Sequence, residues 1–169
     1  FTSIDGIVYS KDLTELVHCP PKNISGEFII PDGTQSIGIY SVGGCKDITS
    51  IIIPSGVTKI ETGAFRYCDL VTEITFPESV EEIGLDVLET NDETLVRTVT
   101  ILNPACTIAE SSSWYDDSST AFGNNPIIYG YTDSTAEAYA AEYGYEFHSL
   151  GSAETVTTTP TTTTSTETT

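Results

Sequence analysis

Short apolar runs recur along this chain at a fixed spacing. Phe28-Ile29-Ile30, Ile51-Ile52-Ile53 and Ile74-Thr75-Phe76 each end at a proline, and Pro31, Pro54 and Pro77 stand 23 residues apart. Three residues past each proline lie Thr34, Val57 and Val80, and three further lie Ile37, Ile60 and Ile83. The pairs Ser41-Val42, Ala64-Phe65 and Val87-Leu88 follow. Cys45 and Cys68 then share one register, which Asn91 occupies in the next unit. A fourth, longer unit places Val99 and Ile101 before Leu102-Asn103-Pro104, after an insertion around Asn91-Asp92-Glu93. Agreement at this many registers predicts an internal repeat whose units bury their own inward rows against their neighbours. Within a unit, a strand turns Ile51 and Ile53, or Ile74 and Phe76, inward and alternates them with outward residues. Proline then stops the strand, because it has no N–H to extend the ladder. The half from Ile60 to Phe65 turns the chain back and buries Phe65. Stacked strands make a parallel sheet on one face.

A solenoid of this kind needs caps on its end coils. Phe1 to His18 alternates as a hairpin would, with Ser10-Lys11-Asp12 at the turn. At the other end a helix starts after Asp133, with Ser134 as its cap and Glu137 completing a capping box. Ala136, Tyr139, Ala140 and Tyr143 share one helical face. Gly144 suits the positive-φ cap at its end, and Tyr145-Glu146-Phe147 returns as a strand. From Gly151 the composition collapses into threonine with Pro160, too poor in apolar residues to offset the entropy of ordering it. The expected division is therefore a repeat domain over residues 1–150 and a Thr-rich linker or stalk over 151–169. Starting at Phe1 without a signal peptide, the chain reads as a mature or excised fragment that continues into another module.

The segment Ile-Pro-Ser-Gly-Val-Thr-Lys-Ile-Glu-Thr-Gly-Ala-Phe-Arg-Tyr-Cys-Asp-Leu, from Ile53 to Leu70, resembles the BspA-like, or Treponema pallidum-type, leucine-rich repeat. The opening Asp5-Gly6-Ile7-Val8-Tyr9-Ser10-Lys11-Asp12 is similar to that family's N-terminal hairpin. The stretch from Ile127-Ile128-Tyr129-Gly130-Tyr131 to Phe147 is similar to its C-terminal cap. The fold this implies is a β-rich α+β leucine-rich-repeat solenoid of about four coils of the 23-residue type. It has a parallel sheet, an N-terminal β-hairpin cap and a C-terminal cap of helix and strand. Asp86-Val87-Leu88 and Asn91 depart from the pattern, standing where Ala-Phe and Cys are usual. The resemblance further implies a bacterial protein, secreted or on the cell surface, that works in adhesion and protein binding.

Composition sharpens this reading. The chain has 25 acidic and 6 basic residues among 169, a formal net charge of −19. Such a surface repels nucleic acid and anionic bilayers and favours basic partners or cations. The hydrophobic fraction of 38% suits an elongated fold better than one central core. No apolar run approaches the roughly 20 residues that span a bilayer, so no membrane insertion is expected.

The pattern contains no Gly-x-Ser-x-Gly, His-Glu-x-x-His, phosphate-binding loop or calcium-binding helix-loop-helix signature, and no cofactor is implied. His18 and His148 lie near opposite ends, and His18 and Cys19, as strand neighbours, point to opposite faces. Among so many carboxylates no glycoside-cleaving pair stands out. The chain is expected not to be an enzyme. Cys45 and Cys68 fit two arrangements, a disulfide between adjacent coils or a ladder of buried thiols. Buried thiols are the expectation, also for Cys19 and Cys106, which lack a register partner. In the least repeat-like segment, around residues 111–119, Trp114 and Tyr115 are candidate interface anchors. There Asp116 and Asp117 are a weak calcium candidate, against a plain surface loop with Trp114 tucked onto the last coil. The outward rows of the sheet supply the remaining candidates: Glu27, Ser50, Glu73 and Thr98, and beside them Ile29, Ile52, Thr75 and Thr100. Ile29 and Ile52 form a small apolar strip flanked by acids. The expected function is a non-catalytic extracellular protein-binding or adhesion module, monomeric within a larger chain and tethered by the Thr-rich linker. The alternative is an accessory or spacer module of a larger secreted enzyme or polysaccharide-degrading, cellulosome-like assembly.

Overall fold

The chain reverses first at Asp5-Gly6, where both residues take positive φ, 51° and 82°. Two such residues make the tight turn whose twist matches that of the flanking strands. They join β1 (Thr2–Ile4) to β2 (Ile7–Tyr9) in an antiparallel pair. A second reversal follows: Ser10 Oγ donates to Asp12 Oδ1 at 2.6 Å, Leu13 takes φ 63°, and β3 (Glu15–His18) pairs antiparallel with β2. The N-terminal cap is thus a three-stranded meander, with one turn more than the Ser10–Asp12 hairpin expected from the alternation. These features belong to a computed structural model, which describes residues 1–22, 24–110 and 120–153.

Beyond the meander, two kinds of strand alternate. The longer ones are β4 (Gly26–Ile29), β6 (Ile48–Ile52), β8 (Glu73–Phe76) and β10 (Thr98–Ile101). Between them come two-residue strands: β5 (Ser36–Ile37), β7 (Lys59–Ile60), β9 (Glu82–Ile83) and β11 (Thr107–Ile108). The C-terminal cap adds β12 (Ile127–Thr132), α1 (Thr135–Tyr143) and β13 (Glu146–Ser152). The short strands stack in parallel onto β3 and complete a seven-stranded sheet, β1-β2-β3-β5-β7-β9-β11. The long strands form the opposite face as two parallel groups, β4-β6 and β8-β10-β12-β13. A third side is made of turns that bond coil to coil. Val42 N–H donates to Ala64 O at 2.9 Å, and Phe65 N–H donates to Val87 O at 3.0 Å. The result is a solenoid of about six turns. That exceeds the four units legible in the proline spacing because β3 below and the β12–α1–β13 cap above stack on the same axis.

Each side contributes an inward row. Phe28 pairs with Ile51, and Val99 pairs with Ile74 on one side and Ile128 on the other, all buried. Leu16, Ile37, Ile60, Ile83 and Ile108 form the row of the short strands. Val42, Phe65 and Leu88 fill the turn side. Each fully buried side chain of this size contributes roughly 1.5–3 kcal/mol. The inward Ile51, Ile53, Ile74, Phe76 and Phe65 agree with the alternation.

The cap helix forms where its signals place it. Ser134 Oγ accepts from Glu137 N–H at 3.2 Å, and the Glu137 carboxylate accepts from Asp133 N–H at 2.6 Å. Gly144, at φ 70°, ends the helix by donating to Ala140 O. Ala136, Tyr139 and Ala140 face the core.

The third unit departs from the pattern in an unanticipated way. Asn91, in the register of Cys45 and Cys68, is exposed. The interior is instead filled from the next unit by Arg97, which is 2% exposed. Its guanidinium donates to Val71 O at 3.0 Å, to Cys68 O at 3.3 Å and to Leu88 O, with the Asp69 carboxylate at 3.6 Å. A planar donor fork suits three carbonyls that converge from two adjacent coils.

Candidate functional site

The outward residues of the long strands form continuous rows across the molecule. Parallel pairing sets Glu27 beside Ser50 and Ile29 beside Ile52 in the β4–β6 group. In the other group it sets Glu73 beside Thr98 and Ile127, and Thr75 beside Thr100 and Tyr129. β13 extends both rows with Glu146 and His148. All eight outward positions expected to face solvent are exposed or half-buried. Ile29 and Ile52 are 62% and 46% exposed, although each is a large aliphatic group.

The two groups do not merge. Among the described residues no backbone ladder joins β6 to β8, although the two strands are neighbours. The seam opens as a groove of about 450 Å³. Ser50 and Ile52 lie on one wall, Glu73 and Thr75 on the other, with Thr98 and Thr100 beyond. Backbone groups turned into such a seam need water or a ligand as partners. The groove therefore offers Ile52, hydroxyl groups, the Glu73 carboxylate and main-chain polar groups, with Ile29 and Glu27 beside it on the same face.

Three features of the surface carried no signal in the repeat pattern. Tyr129 and His148 stack with ring centroids 4.8 Å apart at the C-terminal end of the face, and His148 Nε2 lies 2.7 Å from Glu146 Oε1. On the turn side, Arg66 lies over the rings of Tyr40 and Tyr67 at 5.9 and 4.8 Å and pairs with Glu89. β13 is a seven-residue strand at the edge of its sheet. Tyr129 and His148, and Arg66 with Tyr40 and Glu89, stand 19 or more positions apart, and only the coil register brings them together.

Six copies of a BspA-type leucine-rich repeat region match residues 22–120. The chain belongs to this family. A crystal structure of a leucine-rich repeat protein from Eubacterium ventriosum is similar in fold, with a TM-score of 0.55 at 19% identity. The match covers 88% of this chain and 39% of that one, so this BspA-type chain spans about two fifths of its neighbour's length. No curated protein matches.

Within the BspA-type framework the four cysteines are free and buried. Cys19 proves to have a register partner after all. Its Sγ lies 3.8 Å from that of Cys45, because the first coil enters from the meander rather than from a full repeat. Burial pushes the thiols of Cys68 and Cys106 up to about 12. His18 is exposed while Cys19 is buried, so the adjacent pair makes no shared site. Among the described residues no three or more His, Cys, Asp or Glu converge to hold a metal, and no helix is long and apolar enough to cross a membrane. Trp114, Tyr115, Asp116 and Asp117, the candidate anchors and calcium ligands of the insertion, lie outside the described residues.

Proposed function

We propose that this chain is a non-catalytic protein-binding module, secreted or displayed on the cell surface, that engages its partner through the face of long strands. The observation that carries this reading is the exposed pair Ile29 and Ile52, set beside a groove lined by hydroxyls and by Glu73. Large aliphatic groups left in water beside a polar rim are the surface type that partners cover. The net charge of −19 selects for partners with basic rims and speeds their approach. In this reading the Thr-rich stretch beyond β13 is a linker or stalk, and the small face gains avidity from multiple display.

The test is capture on the immobilised full chain, from extracellular and cell-surface proteins of its source, in calcium and in EDTA. An identified partner is expected to bind the native chain and to weaken at least about tenfold, ~1.4 kcal/mol, with Ile29→Asp/Ile52→Asp. Retention by the double variant would remove the strand face from the proposal. A chain that captures nothing in either condition supports the other reading, an accessory or spacer module of a larger secreted enzyme or polysaccharide-degrading assembly.

A further inference from the structure

Among the buried thiols, one pair is set apart by geometry. Cys19 follows β3, and its N–H donates to Ser41 O of the next coil at 2.6 Å, which ties the two coils together at this point. The two Sγ atoms are 3.8 Å apart, and Cys45 Sγ also lies 3.7 Å from Cys19 O. A disulfide holds its sulfurs at about 2.05 Å, so rotation about the two side chains has only roughly 2 Å to close. The other thiols are engaged elsewhere. Cys68 Sγ lies 3.3 Å from Val42 O, and Cys106 Sγ lies 3.8 Å from Thr107 O.

We propose that Cys19 and Cys45 are a covalent cross-linking site, oxidised to a disulfide by a small-molecule disulfide of the glutathione class and stapling the first coil to the second. Either thiol can open the exchange, and the balance is the same from Cys45 or from Cys19. The Cys45 thiolate attacks the oxidant's S–S bond, forming a mixed disulfide and releasing one small thiolate. The Cys19 thiolate then attacks the Cys45 sulfur and releases the second. Two protein thiols and one disulfide become one protein disulfide and two small thiols, and the two protons end on the released thiols. Both residues are fully buried in the folded chain, so exchange takes place while the N-terminal coils close. The site lies in the interior, away from the strand face, and its chemistry does not depend on that face binding a partner.

The experiment refolds the full reduced chain in a buffer of reduced and oxidised glutathione, then alkylates it in denaturant, digests it and maps the peptides by mass. A Cys19–Cys45 linked pair, lighter by two hydrogens and split by dithiothreitol, is expected, with Cys68 and Cys106 alkylated. The linked chain is expected to melt above the reduced one. Four alkylated cysteines, glutathione held on Cys19 or Cys45 without a link, or a Cys45–Cys68 link would each overturn the proposal. Cys19→Ser is expected to abolish the link and leave Cys45 alkylated. Should that variant fail to fold, Cys68→Ala/Cys106→Ala retains only the proposed pair and gives the same reading, one link or none.

Discussion

Arg97 sits where the earlier units bury sulfur, and its charge is tolerated because every direction of its fork ends on an oxygen. Val71 and Cys68 offer carbonyls from one turn and Leu88 from the next, and Asp69 supplies a partly exposed counter-charge. Removing the side chain takes the donor from Val71 O and Leu88 O, while Cys68 O keeps the Val71 N–H at 3.1 Å. Arg97→Ala is expected to lower stability by about 3–5 kcal/mol, the scale for breaking a buried ionic group. Arg97→Lys is expected to recover only part of this, because an ammonium has no planar fork. Urea titration of the three proteins checks both. A loss below about 1 kcal/mol would show that the carbonyls find other partners. Single residues of this kind are the least legible part of the sequence. The inward isoleucines announce themselves by a period of two within the strand and 23 between strands. Arg97 follows an insertion that breaks both periods. Cys19 escapes for a similar reason: it stands 26 residues before Cys45, whereas Cys45 and Cys68 are 23 apart.

Coils can stack this closely only where a side chain is missing at the contact. At Gly84, a Cβ would lie 2.5 Å from Thr62 N and 2.8 Å from Glu61 C of the preceding coil. Both obstructing atoms are backbone and cannot swing aside, so β9 would have to withdraw from β7. Gly84→Ala is expected to cost about 1–3 kcal/mol by overpacking. Gly56→Ala, which meets only Thr34 O at 3.3 Å, should cost less, and thermal melts of the two variants decide. Elements whose signals are local were readable from the chain, the cap helix above all, since Ser134, Glu137 and Gly144 act within one helix. The first turn of the meander is written locally as Asp5-Gly6, a pair that accepts positive φ at both positions, but the alternation runs across it and hides it. The sheet of two-residue strands was not readable as a sheet, because two residues show no alternation and Ile37, Ile60 and Ile83 gave only a matched position. Of the strand-face candidates, the rows themselves followed from alternation. The seam between β6 and β8 did not, since equal spacing on both sides of it gives no hint that one ladder is absent.

At the scale of the molecule the three sides of the solenoid are unequal. The short-strand sheet runs unbroken from β1 to β11, and the long-strand face is interrupted once. Amides of β6 and β8 that face the seam lack ladder partners there and are expected to exchange with solvent faster than those between β10 and β12, as hydrogen exchange with mass readout would show. Equal protection on both would mean that the interruption is closed in solution. An open seam opposite an intact ladder is the arrangement of a book and its spine. Load applied across the two ends would bend the rod at the seam before breaking any coil, so that the curvature of the exposed face adjusts to whatever is pressed against it.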